Sequence, residues 1–93
     1  MEDKIEIKDN KEKNRFELFV NEKEAGEIDY QIKDSKLIIN HTGVNKEYEG
    51  KGLAKLLVEY AVNYARENNF KITPICPYVK IVIERNKEYH DLL

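Results

Sequence analysis

One cysteine, two prolines, four glycines and no tryptophan stand among the 93 residues, and each shortage closes a class of explanation. A single cysteine cannot close an internal disulfide, so no covalent staple holds the chain. Two distant histidines and that cysteine offer no cluster of metal ligands. No apolar run approaches the length of about 20 residues that a membrane-spanning helix needs. Sixteen basic and 18 acidic side chains are interspersed to a net charge of -2, which leaves no basic field for sequence-independent nucleic-acid binding. Met1-Glu2-Asp3-Lys4 carries neither a signal-peptide core nor a transit-peptide bias, so a reducing cytoplasm is the expected setting. Asn40-His41-Thr42 matches a glycosylation sequon that has no meaning in that setting.

What is present suffices for one globular domain over residues 1–93. The chain is 41% hydrophobic and 37% charged, with six tyrosines and three phenylalanines. A domain of this size buries roughly 60 to 70% of the surface exposed by its unfolded chain. Monomer is the default expectation.

The most informative stretch is Glu49-Gly50-Lys51-Gly52-Leu53-Ala54, because it lies where a strand pattern gives way to a helical one. Lys36 to Val44 reads as a strand. After Gly52, Leu53, Leu57, Tyr60, Ala61, Tyr64 and Ala65 follow the spacing of one helix face. Glycines here let the chain turn tightly and bring the unpartnered N–H groups of a first helical turn against an anion. Lys51 and Lys55, read as lying in that turn, oppose the helix dipole unless something negative lies nearby. The competing reading is an ordinary turn whose solvated lysines are partly offset by Glu47 and Glu49.

Upstream, Lys4 to Lys8, Arg15 to Val20, Ala25 to Ile32 and Lys36 to Val44 read as the four strands of a meander. Asp9-Asn10, Asn21 and Asp34-Ser35 are the expected turns. Residues 51 to 69 read as a deeply packed helix ended by Asn68-Asn69. Lys71 to Cys76 resumes an extended segment, which predicts a right-handed crossover to a parallel fifth strand. Pro77 suits the first position of a second helix, with Val79, Val82 and Ile83 facing inward. The expected class is α+β with a three-layer tendency.

Pro74 removes a ladder donor and so favours separation of the last strand from its neighbour. Separation would leave the backbone groups of Thr42, Gly43 and Val44 to be satisfied by water or by an extended ligand that carries amides. A ligand with a phosphate head and an amide-bearing tail meets both demands, and coenzyme A has that form.

Glu49-Gly50-Lys51-Gly52-Leu53-Ala54 resembles the Gln/Arg-x-x-Gly-x-Gly/Ala signature of the GNAT superfamily of N-acetyltransferases. More narrowly, His41-Thr42, Pro74-Ile75-Cys76-Pro77-Tyr78-Val79 and Glu88-Tyr89-His90-Asp91-Leu92 look like the small single-domain GNAT-like acetyl-CoA-binding proteins. The resemblance is specific over about residues 37 to 93 and topological before that. It implies that the pyrophosphate of acetyl-CoA rests on the backbone of Glu49, Gly50, Lys51, Gly52, Leu53 and Ala54. Pantetheine would run beside Thr42, Gly43 and Val44, with Lys55 and Tyr78 also at the cofactor. Two departures stand out. Glu49 takes the position of Gln or Arg, and the pair of helices usual between the first two strands is missing.

Cys76, expected to face the thioester, is a candidate nucleophile that would carry the acetyl group, with His41 as the group that lowers its pKa. A small buried hydrophobe is the competing reading for Cys76, and a hydrogen-bonded strand residue the competing one for His41. Tyr78 and Tyr89 could protonate a departing thiolate, although Tyr89 reads better as packing and His90 as solvated. The function expected is transfer of an acetyl group from acetyl-CoA to an unidentified amine. The alternative is a non-catalytic module that binds acyl-CoA as a sensor or carrier.

Overall fold

The computed structural model describes residues 3–93. Five strands make one sheet in the order β1 (Ile5–Asn10), β2 (Arg15–Val20), β3 (Lys23–Lys33), β4 (Lys36–Val44) and β5 (Lys71–Pro74). The first three pairings are antiparallel and β4–β5 is parallel. Helix α1 (Leu53–Glu67) makes the crossover between β4 and β5, and α2 (Pro77–Arg85) follows β5. A short 3-10 turn, Lys46–Tyr48, precedes α1, and another, Lys87–Leu92, follows α2.

Local chemistry accounts for most of these boundaries. Asn21-Glu22 and Asp34-Ser35 all have positive φ, the conformation of two-residue hairpin loops whose twist matches the flanking strands. The first hairpin differs from the sequence expectation. Asp9 and Asn10 end β1 and pair with Phe16 and Arg15, so the turn falls on residues 11–14. Tyr30 explains the extra strand length, because its hydroxyl donates to Asp9 Oδ1. Helix α1 closes in a Schellman motif. Asn69 stands at φ 57, the Phe70 N–H donates to the Ala65 carbonyl and the Asn69 N–H to that of Arg66.

The core lies on one side of the sheet. Phe16, Leu18, Ile28, Leu37 and Ile39 point from the strands toward Leu57, Val58, Ala61 and Val62 of α1, all buried in one cluster. Val79 and Ile83 of α2 and Tyr89 and Leu92 of the last turn close the same cluster. Both helices therefore pack into one core with the sheet, as the α+β reading expects. Residues 11–14 are all that joins β1 to β2, and no helix of the described residues covers the second sheet face.

Candidate functional site

Pairing between β4 and β5 stops at Ile39 opposite Pro74. The N–H groups of Ile75 and Cys76 then both converge on the Ile39 carbonyl, at 3.0 and 2.9 Å. Proline has no N–H with which to continue the ladder. On the β4 side, Asp29 pairs with His41 while Tyr30 pairs with Ile39, so Asn40 is an inserted residue that bends the strand. Together these end the pairing and let β4 run on through Val44 with an open edge. The Asn45 N–H bonds to the Ala25 carbonyl at 2.8 Å. The alternation of an antiparallel ladder therefore turns the backbone groups of Val44 and Thr42 away from β3, into the opening.

At the end of that edge the chain passes through the glycines. Gly50 has φ 80 and Gly52 has φ 75, values that an L side chain adopts only with strain. Gly52 is the N-cap of α1, has no side chain with which to cap it, and no acidic residue occupies the first turn. The first N–H groups of α1 therefore lack a side-chain partner, and a Cβ placed on Gly50 or Gly52 would meet nothing within 4 Å. A helix start with free donors and open space before it is suited to a phosphate. Glu49 is exposed, so its carboxylate has room to turn to solvent.

One sequence expectation is corrected here. The helix begins at Leu53, not at residue 51, because the left-handed Gly52 breaks it, and it ends at Glu67 rather than 69. Lys51 consequently lies in the bend, its Nζ 5.7 Å from the centre of the Tyr48 ring. Only Lys55 is in the first turn. Both lysines are exposed, where an ion pair is worth about 1 kcal/mol or less. Lys51→Ala with Lys55→Ala is expected to lower CoA affinity modestly and to flatten its dependence on salt. Calorimetry over a salt series checks this, and an unaltered slope would separate both lysines from the phosphates.

Cys76 is buried, with 6% of its surface exposed, and it is the N-cap of α2, with Pro77 in the first turn. Burial pushes the thiol up. That effect is outweighed by the Val79 N–H, the Thr42 hydroxyl, and the N–H groups of Tyr78 and Thr42, which hold the thiol below its ordinary value. Thr42 Oγ1 is buried and has no hydrogen-bond partner among the described residues. Its proton is thus free to turn toward the sulfur.

His41 is not among the groups that act on Cys76, which corrects the expected pairing. Neighbouring strand residues point to opposite faces, so Thr42 faces Cys76 while His41 lies on the uncovered face, its Nε2 3.4 Å from Glu27 Oε2. Tyr78 stands half-exposed in the first turn of α2. Tyr89 is buried, its ring 5.9 Å from the Arg66 guanidinium, and His90 is exposed with Nε2 3.1 Å from the Glu84 carbonyl. Two participants escaped the sequence reading, the Thr42 hydroxyl and Glu27. Neither has a local signal, because Cys76 is 34 residues from one in sequence and β3–β4 register brings in the other.

The site runs along the unpaired edge of β4. A surface hollow of about 340 Å³, lined by Arg66, Phe70 and Asp91 among others, lies at the far end of α1. An extended ligand on a strand edge needs no such enclosure.

Comparison with known proteins agrees with this geometry. No curated protein matches the chain. The NMR solution structure of a Staphylococcus aureus protein described as a GCN5-like N-acetyltransferase is 35% identical, with a TM-score of 0.74 over 94% of this chain and 85% of that one. The crystal structure of the ribosomal-protein-S18-alanine N-acetyltransferase from Escherichia coli shares the fold, with a TM-score of 0.62 at 20% identity, over 64% of this chain and 39% of that one. Residues 15–92 match the family described as GCN5-related N-acetyl-transferase, and the chain belongs to that family.

Proposed function

We propose that the chain binds acetyl-CoA and passes its acetyl group to an amine, with Cys76 as the first acceptor. The observation that carries this reading is one junction. The open edge at Thr42 to Val44 has the glycine turn before α1 at one end and a thiol held toward its thiolate form at the other. In this reading the backbone of Gly50 to Ala54 receives the pyrophosphate and the β4 edge pairs with the amides of pantetheine.

The Cys76 thiol gives its proton to solvent, and the resulting thiolate attacks the thioester carbonyl. A new carbon–sulfur bond forms to Cys76 as the bond to the CoA sulfur breaks, and CoA leaves as a thiolate that takes a proton from water or from the Tyr78 hydroxyl. One thioester replaces another, so little driving force is required. The chain's contribution is to lower the thiol's pKa and so raise the fraction present as thiolate. The amine then attacks the acetyl-cysteine, the C–N bond forms, and the Cys76 thiolate is restored.

On incubation with acetyl-CoA, intact-protein mass spectrometry should find one acetyl group that hydroxylamine removes and that Cys76→Ala cannot acquire. Thr42→Val, which deletes the hydroxyl donor, should slow the acylation several-fold. Full turnover by Cys76→Ala would replace the intermediate with direct attack by the amine. The uncovered sheet face, which the missing helix pair would otherwise wall, favours a second reading as an acyl-CoA sensor or carrier. Saturable CoA binding with no turnover across a panel of amines would establish that reading instead.

A further inference from the structure

The reading above leaves the amine without a place, and the uncovered sheet face supplies one. Glu27 of β3 pairs with Gly43 of β4, and a Cβ on Gly43 would collide with Glu27 Oε2 and lie 3.0 Å from His41 Nε2. Gly43 is not in the left-handed region, so backbone freedom is not what it contributes. It contributes room: the Glu27–His41 pair folds over it. On the same face the Asp29 carboxylate is matched by Arg15 at 2.8 Å. The partner of Glu27 is instead a histidine, which balances its charge only when protonated, and the Glu27 side chain is just 23% exposed. Arg15 is within electrostatic reach of Glu27 but is bonded to Asp29, and a partly desolvated carboxylate with no cation bonded to it favours a cationic ligand.

We propose that Glu27 is a positioning residue for the acceptor: it holds the His41 ring over Gly43 and receives an alkylammonium on the uncovered face, so that the amine reaches the acyl group through the β4–β5 opening from the side opposite Cys76. This rests on the acyl group lying in that opening, as proposed above. The substrate class is then an aliphatic amine that is cationic in water, rather than an aryl or amide nitrogen. In the tautomer that carries its proton on Nε2, 3.4 Å from Glu27 Oε2, His41 leaves Nδ1 as a proton acceptor. The ammonium first gives one proton to solvent. As the neutral amine forms the C–N bond and the C–S bond breaks, sulfur leaves as thiolate. The surplus N–H proton passes to His41 Nδ1 and from there to solvent.

The test titrates 1,5-diaminopentane, with 1,5-pentanediol as neutral control, into isotopically labelled protein saturated with CoA, following amide resonances. The diamine is expected to move His41, Gly43 and Asp29 saturably, and the diol to leave them in place. Glu27→Gln should weaken the diamine at least about fivefold, as should Gly43→Ala by displacing the pair. CoA affinity by calorimetry should stay within about twofold in Glu27→Gln. Glu6→Gln removes a β1 carboxylate from the same face, away from Glu27, and should titrate as the unsubstituted protein does. If Glu27→Gln binds the diamine normally, or the diol acts like the diamine, the role of Glu27 is wrong while the CoA site stands. Loss of CoA binding or of the Cys76 adduct in the unsubstituted protein would instead overturn the reading on which it rests.

Discussion

Gly52→Val is expected to weaken CoA binding at least about tenfold, equivalent to about 1.4 kcal/mol, and more than Lys55→Ala. The residue has φ 75 and ψ 15, and a β-branched side chain in that region is strained by roughly 1 to 2 kcal/mol. Relaxing the strain rotates the peptide into α1 and takes the first N–H groups off the anion. Leaving it in place sets two methyl groups in the space before the helix. Because a Cβ here meets nothing within 4 Å, no protein atom has to move to accommodate it. The loss therefore belongs mainly to the ligand. Gly52→Ala should show a smaller loss, since it carries the strain without the branch. Calorimetric titration with CoA that finds all three proteins alike would remove this turn from the site.

Phe16→Ala is expected to cost about 3 to 5 kcal/mol of stability, a large share of the 5 to 15 kcal/mol typical of a whole domain. Phe16 is fully buried and holds three elements together. Its ring stacks on Tyr30 of β3 at 4.4 Å between centroids and meets Tyr60 and Tyr64 of α1 edge-on at 5.0 and 5.1 Å. Such aromatic pairs add about 0.5 to 1.5 kcal/mol each beyond the area they bury. Around the cavity the rings are rigid, and the Tyr30 hydroxyl is tied to Asp9, so collapse into the space is limited. Urea unfolding should show the midpoint falling with little change in slope. A loss below about 1 kcal/mol would mean that Tyr60 and Tyr64 swing in to fill the gap.

The strands were legible wherever one face is buried and the other wet. β2, with Phe16, Leu18 and Val20 inward, falls on the residues that alternation indicates. Element ends were less legible. β1 runs two residues past Lys8 because Asp9 finds the Tyr30 hydroxyl across the sheet, a partner 21 residues away. α1 starts two residues late because Gly52 adopts a left-handed conformation that its identity permits but does not require. Pro74 did announce the end of β4–β5 pairing, since a missing N–H is a property of the residue itself.

For the site, the division follows the range of the forces involved. The glycine pair between a strand and a helix and the missing N–H of Pro74 are local, so the order of residues along the chain was enough to indicate them and the family to which they point. The surroundings of Cys76 and His41 are not local. Both lie beside the β4–β5 opening, and sequence suggested that they would meet. An inserted residue at Asn40 and the pleat of β4 decided otherwise. They put Thr42 on the core side with the thiol, and His41 across the sheet with Glu27. Which face a side chain takes depends on strand register and on one bulge. Only the assembled sheet sets those, because only there do backbone pairing and burial of the core face compete for the same residues.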